Sequence, residues 1–327
     1  MDKPLRIGVL GAGHLGRIHV QQLKELPEYE IAGVFDPHPG KAAKVQAEFG
    51  VPVLTGLPEL IAASGVVDVV TPTIAHHECA MQALAAGRHV FIEKPIAHTL
   101  GQARQLVERA EAAGRLVQVG HVERFNPAFM AARPALGNPM FIEAHRLAQF
   151  DPRGTDVSVV LDLMIHDLDI ILHVVGAPVT EVHASGVAVV SDTPDIANAR
   201  IEFANGCTAN LTASRISMKK MRKSRFFQKD AYIAVDMLKK ETEIMRMRTV
   251  EQADPFAVTL DLGPGKGLRE ISFDRPEIPA TNAIREELRS FAAAIRGGRR
   301  PEVPATDGLA ALELAHRVLA AMQTRPA

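Results

Sequence analysis

The segment Leu5-Arg6-Ile7-Gly8-Val9-Leu10-Gly11-Ala12-Gly13-His14-Leu15-Gly16 limits the folds open to this chain more than any other. A short apolar run ends in three glycines spaced G-x-G-x-x-G, and an apolar-periodic stretch follows. Asp36 closes the next apolar run, Ile31-Ala32-Gly33-Val34-Phe35, twenty positions after Gly16. Strand, turn, helix, strand and acid in this order describe a dinucleotide-binding unit. Gly11 permits a tight turn, Gly13 lets backbone approach a pyrophosphate, and Gly16 lets helix and strand pack closely. The helix start, with His14 and Leu15, offers unpaired N–H groups and a positive dipole end to the phosphates. The competing reading is a glycine turn in an unrelated α/β domain. Asp36 argues for NAD over NADP, because a carboxylate binds the ribose 2′-hydroxyl and repels a 2′-phosphate. The neighbouring Pro37-His38-Pro39 contains no arginine to receive that phosphate.

The pattern continues beyond the fingerprint. Strand-like runs at Ile7–Leu10, Ile31–Phe35, Val51–Leu54, Val67–Thr71, His89–Glu93 and Leu116–Val119 alternate with helical patterns. The helical stretches are Leu15–Leu26, Lys41–Phe49, Glu78–Ala86 and Leu100–Ala113, with Gly40, Gly50, Gly87 and Gly114 punctuating helix ends. This alternation predicts a parallel, doubly wound Rossmann sheet over residues 1–121.

After Gly120 the character changes. Residues 140–150, 179–190, 195–217 and 223–247 read as strand-rich, and Asn205-Gly206 is a hairpin signal. They predict a second, α+β domain over 122–303 with a large, mostly antiparallel open sheet, serving substrate binding and oligomerisation. Helical patterns end the chain at Ala283–Ile295 and Gly308–Met322, and the last is expected to pack back on the first domain. A sheet face left uncovered predicts a homodimer or homotetramer.

Bulk properties exclude several classes. The 327 residues suffice for two cored domains, and a net charge of -1 attracts neither nucleic acid nor an anionic membrane. Cys79 and Cys207 lie far apart, so neither a disulfide framework nor a zinc cluster is indicated, as in a reducing cytoplasm. Met1-Asp2-Lys3-Pro4 runs straight into the first strand, which leaves no room for a signal peptide. No apolar run approaches the ~20 residues that span a bilayer.

Four further segments carry candidate chemistry. Glu93-Lys94-Pro95 closes what reads as the fifth strand, where open α/β sheets bind their ligands. Lys94 is therefore read as a site residue against the ordinary fate of lysine, a solvated surface position. Asp162 and His166 stand four apart in the apolar run Val159–Leu172, with Asp169 three further on. Ionisable groups on one stripe of an apolar helix point to a site, the alternative being the polar edge of a surface helix. Arg124 and Asn126, where the domains meet, suit substrate hydroxyls or phosphate, or else an interdomain ion pair and turn. Arg215, Lys219, Lys220, Arg222, Lys223 and Arg225 read as a solvated loop, with a nucleotide-sugar diphosphate as the alternative partner. His76 and His77 follow Thr71-Pro72-Thr73 at a strand-to-helix junction, where they line the dinucleotide or cap the helix. No cluster has metal-ligand spacing, and no G-x-S-x-G elbow supports a hydrolase.

Taken in order, Gly11–Gly16, Thr71-Pro72-Thr73 with His76, Gly87–Pro95 ending in Glu93-Lys94-Pro95, and Asp162-x-x-x-His166 resemble the Gfo/Idh/MocA oxidoreductases. The resemblance spans almost the whole chain, down to Ala305–Ala311. It implies a Rossmann domain followed by an α/β domain with a large open sheet, NAD as cofactor, and Lys94, Asp162 and His166 as catalytic groups. It also implies cofactor contacts from Thr71, Pro72, Thr73, His76 and Glu93. Many members have glycine two residues after the aspartate, where this chain has Met164. Val119–Pro127 and Val160–Asp169 further resemble the branch that contains UDP-N-acetylglucosamine 3-dehydrogenases, some of which serve lipid A synthesis. A nucleotide sugar is therefore the expected substrate, a free sugar or inositol the alternative, and a non-catalytic NAD sensor the rival from another class.

Overall fold

The computed structural model describes residues 3–151, 157–252, 257–264 and 266–323. Within it the chain divides into two compact units, residues 1–122 with 281–313, and residues 123–280 with 314–327.

The first unit is a five-stranded parallel sheet in the order β2-β1-β3-β4-β5. Its strands are β1 (Leu5–Leu10), β2 (Tyr29–Phe35), β3 (Val66–Val69), β4 (His89–Glu93) and β5 (Val117–Gly120). Their inner stretches are buried on both faces, which is why they read as continuous apolar runs. Helices α1 (His14–Leu23), α2 (Pro39–Phe49), α3 (Leu57–Ala63), α4 (Thr73–Ala85) and α5 (Leu100–Ala113) connect them. Local chemistry fixes several ends. Thr99 and Gln102 form a reciprocal capping box at the start of α5, and Gly114 ends it at φ +58°.

Two details correct the sequence reading. Val51–Leu54 is not a strand. Val53 bridges Val34, and Leu54 donates to the Val34 carbonyl at 2.9 Å, but Pro52 has no N–H with which to extend the ladder. Lys94 therefore follows the fourth strand of the sheet. The short helix α3 went unread, although Pro58 and Glu59 in its first turn are the usual signal for a helix start.

The second unit holds a nine-stranded sheet in the order β13-β14-β12-β11-β10-β6-β9-β8-β7. Its strands are β6 (Phe141–Leu147), β7 (Val179–Val187), β8 (Ile196–Phe203), β9 (Thr208–Ser214), β10 (Met221–Phe227), β11 (Ala231–Asp236), β12 (Glu241–Val250), β13 (Val258–Asp261) and β14 (Leu268–Asp274). All neighbours pair antiparallel except β6 with β9. The Asn205-Gly206 turn joins β8 to β9, with Gly206 at φ +85° and Phe203 bonded to Cys207. Helices α6 (Pro127–Ala132) and α7 (Ile165–Val175) contribute to one core with the inward residues Ile142, Ala199, Leu211, Phe226 and Ile233. Glu143 and His145 alternate with Ile142 and Ala144 and point to the opposite, half-buried face.

The last two helices, α8 (Ala283–Gly297) and α9 (Ala305–Gln323), shift the domain boundary. Leu288, Phe291 and Ala292 of α8 are buried with Ile7, Val9 and Phe91, and the Tyr29 hydroxyl donates to the Leu288 carbonyl at 2.8 Å. Residues 281–303, expected in the second domain, thus complete the first. Only the start of α9 belongs to the first unit, where Gly308 lies against Val119; Leu314, Ala315 and Val318 enter the core of the second. Val303 and Pro304 run along β5, whose Val119 N–H donates to the Val303 carbonyl at 2.9 Å, and so cover that sheet edge. No helix among the described residues is long and apolar enough to cross a membrane.

Candidate active site

The glycine loop has the form its spacing demands. Gly11 sits at φ +108°, and a Cβ there would stand 2.5 Å from the Val70 carbonyl oxygen. A Cβ on Gly16 would collide with the Gly11 carbonyl. Gly13 differs from both, since a Cβ there would meet nothing within 4 Å. It is the N-cap of α1 and supplies no side-chain cap, so the first N–H groups of the helix face open space beside a backbone without bulk. That arrangement fits a pyrophosphate. Asp36 lies behind the loop, with Oδ2 accepting the Ala12 N–H and Oδ1 the His38 N–H, each at 2.8 Å. Lone pairs remain on both oxygens for a ribose hydroxyl. His14 is exposed and Leu15 half-buried at the mouth of this turn.

The second half of the cofactor prediction divides. Pro72 is the N-cap of α4 and exposed, while Thr71 and Thr73 beside it are half-buried. His76 turns inward instead. Its Nδ1 lies 2.9 Å from the Pro95 carbonyl and its Nε2 2.9 Å from the Thr71 carbonyl. Burial lowers its pKa against the pull of those carbonyls. Glu93 also points into the unit, with Oε1 at 3.1 Å from His19 and Oε2 accepting the Lys94 N–H at 3.2 Å. Burial opposes its ionisation, but His19 and Lys94 outweigh it and hold the carboxyl below its ordinary range. The interior bonds of His76 and Glu93 correct their assignment as direct cofactor contacts. Both brace the residues that flank Lys94, a half-buried side chain at the sheet's carboxyl edge, after which the Lys94–Pro95 bond is cis.

In the second unit the ionisable stripe splits. Asp162 lies in a π-turn, Val160–Met164, that runs into α7, and His166 is in the first turn of that helix. Both are half-buried. Such widened turns recur at functional sites. Asp169 faces inward and belongs to Arg124, which binds it through Nε at 2.8 Å and Nη2 at 2.6 Å and touches His173 through Nη1. Asn126 caps α6 through Ala128 and donates to Glu123 at 2.9 Å and to the Met237 carbonyl at 3.0 Å. Arg124 and Asn126 are 3% and 7% exposed, so their interior partners correct their assignment to substrate. The ion pair is one within the second unit.

Sequence reasoning missed the neighbouring pair. Arg146 binds Asp167 through Nε and Nη2, both at 2.9 Å, and Glu123 through Nη1 at 2.7 Å. Burial works against both charges, yet Arg146 holds Glu123 below its usual range. An arginine inside the alternating strand β6 was the available signal. The basic segment 215–225 is likewise only partly a loop. Arg215 is buried and donates to the Val157 carbonyl, Lys219 and Lys220 are exposed, and the rest lie in β10. There Arg222, Lys223 and Arg225 pair with Glu123, Asp236 and Glu143.

A cluster invisible to spacing also emerges. His19, Glu93 and Glu287 each bring one donor atom within 4.8 Å of the others. Both ring nitrogens of His19 already face carboxylates, Nδ1 at 2.9 Å from Asp68 and Nε2 at 3.1 Å from Glu93. That is the environment of an imidazolium rather than of a metal-bound imidazole.

A glycine-looped Rossmann unit and an open-sheet unit carrying candidate acid–base groups define the class of nicotinamide-dependent oxidoreductases. Residues 5–121 match the "Oxidoreductase family, NAD-binding Rossmann fold", and residues 102–228 match the "GFO/IDH/MocA C-terminal domain". The chain belongs to the Gfo/Idh/MocA oxidoreductase family. It is 36% identical over 325 residues to the UDP-N-acetylglucosamine 3-dehydrogenase of Acidithiobacillus ferrooxidans, covering 99% of this chain and 97% of that one. A solved structure of that enzyme superposes with a TM-score of 0.87 at 34% identity, covering 99% of both chains. The scyllo-inositol 2-dehydrogenase (NAD(+)) of Bacillus subtilis is 30% identical over 238 residues, 66% of this chain and 69% of its own. The chain is thus an NAD-dependent dehydrogenase of a family that acts on sugar alcohols.

Proposed function

We propose that the chain oxidises the 3-hydroxyl of a UDP-N-acetylhexosamine, with Lys94, Asp162 and His166 as its catalytic groups. The observation that carries this reading is the similarity to the Acidithiobacillus ferrooxidans enzyme, which runs through both units and includes the Asp162–His166 turn. Gly11, Gly13, Gly16 and Asp36 hold the dinucleotide, which when bound accepts a hydride at its nicotinamide ring. His166 takes the hydroxyl proton, a task suited to an imidazole with an ordinary pKa of ~6.5. Asp162 orients that ring and stabilises its charged form. The Lys94 ammonium donates to the reacting oxygen and stabilises the alkoxide charge that develops there. The hydroxyl carbon loses its hydrogen with the electron pair, the oxygen loses its proton, and a 3-keto sugar results. Such a ketone is what a transaminating step toward a 3-amino sugar of lipid A consumes.

We assign the open-sheet face, with its alternating Glu143 and His145, to a homodimer or homotetramer contact, and place the enzyme in the cytoplasm. The test is a substrate panel. UDP-N-acetylglucosamine is expected to reduce NAD where free hexoses and inositols do not, and His166→Ala to lower that turnover by roughly 100-fold or more. Reduction by an inositol alone would move the chain to the polyol dehydrogenases. A near-wild-type rate in the alanine variant would remove His166 from its role.

A further inference from the structure

The dinucleotide helix carries a histidine that the reaction above does not use. His19 is fully buried on the inner face of α1, three residues after Gly16, with its ring edge-on to Phe91 at 5.7 Å between centroids. Its two nitrogens reach carboxylates on two different strands, Asp68 in β3 and Glu93 at the end of β4. A neutral imidazole has one N–H to donate, so two carboxylate partners call for the doubly protonated ring. Burial on its own would depress the His19 pKa, but the two facing carboxylates outweigh it and raise it well above 6.5. Asp68 is pushed upward by its own burial, with His19 pulling the other way.

The clamp has one exit toward the chemistry. Glu93 Oε2 accepts the Lys94 N–H, and Gly120 in β5 leaves room for that carboxylate, since a Cβ there would stand 2.8 Å from Oε1. On the other side of Lys94, His76 holds the Pro95 carbonyl. Lys94 is tethered through both of its chain neighbours, and the upstream tether begins at His19.

We propose that His19 is a positioning residue for hydride transfer: clamped between Asp68 and Glu93, its imidazolium fixes the Glu93 carboxylate and thereby the backbone that aims the Lys94 ammonium. The proposal rests on the role given to Lys94 above. Misplacing a reacting group by ~1 Å costs about 100-fold in rate, so a partial loss of the clamp is read as at least about tenfold.

The experiment is a double-mutant cycle on kcat with NAD and the member of the panel that reduces it. His19→Gln keeps a hydrogen-bonding side chain and removes the charge. It is expected to lower kcat at least about tenfold in the wild-type background, yet under about threefold in Lys94→Ala, where no ammonium is left to misplace. Equal costs in both backgrounds would make His19 merely structural and overturn the proposal. Should His19→Gln not fold, Glu93→Gln run through the same cycle decides by the same criterion. A Lys94→Ala enzyme at the wild-type rate would overturn the Lys94 role itself, and this proposal with it, whatever His19→Gln does. Heteronuclear NMR of the ring nitrogens gives a readout independent of activity. Both are expected to be protonated above neutral pH, and a neutral ring would overturn the clamp. So would a rate lost to a chelator and restored by a divalent cation, which would displace the Nε2 proton.

Discussion

The two units bury their charges in different ways. In the first, the interior cation is a histidine between Asp68 and Glu93. In the second, it is a pair of arginines, Arg124 on Asp169 and Arg146 on Asp167 and Glu123. Arginine stays charged at any working pH and binds carboxylates in a fixed bidentate fork, so the second unit has charge pairs that are permanent struts. Histidine keeps its proton only while its carboxylates hold it, so the first unit has a charge that can be removed. The removable one sits directly behind the lysine proposed for the chemistry.

The largest effect that tests this contrast should come from Arg146→Met. It leaves Asp167 and Glu123 buried without their cation, and such losses cost roughly 3–5 kcal/mol. Chemical denaturation at neutral pH checks it, and a cost under about 1 kcal/mol would mean that the pair is no strut. Arg124→Met should cost less, about 3 kcal/mol, because Asp169 loses only this one bidentate partner. A loss equal to or greater than that of Arg146→Met would reverse the ranking.

The smallest effect is one of pH. His19 has a raised pKa in the folded state, so its contribution to stability is complete below about pH 6.5 and is lost as the pH rises through the folded value. Between pH 6 and 9 the thermal midpoint of the wild type should therefore drift down, and that of His19→Gln should drift less. Parallel curves would show that the first unit is as permanently charged as the second.

Much of the fold was legible because its signals are local. The glycine spacing, the apolar runs of β1 and β4 and the Asn205-Gly206 turn each require only neighbours in sequence. Lys94 and Asp36 were legible for the same reason, since strand ends bind ligands in open sheets. What was not legible depended on distant partners. Nothing near Arg124 says that Asp169 awaits it, and nothing near His76 says that two carbonyls lie on either side of its ring. The strand misread at Val51–Leu54 shows the converse, an apolar run whose proline had already ruled out a ladder. The helix Ala283–Gly297 was found by its period but assigned to the wrong unit, because periodicity gives a face and not what that face will meet.

The placement of that helix bears on the birth of the protein. Leu288, Phe291 and Ala292 supply part of the core that Ile7, Val9 and Phe91 begin. A ribosome makes about 5–20 residues per second, and every strand of the nine-stranded sheet emerges before those side chains do. The nucleotide unit, first to be synthesised, must wait half-built for seconds while the second takes shape, and for the same reason no single cut in the chain releases either unit whole.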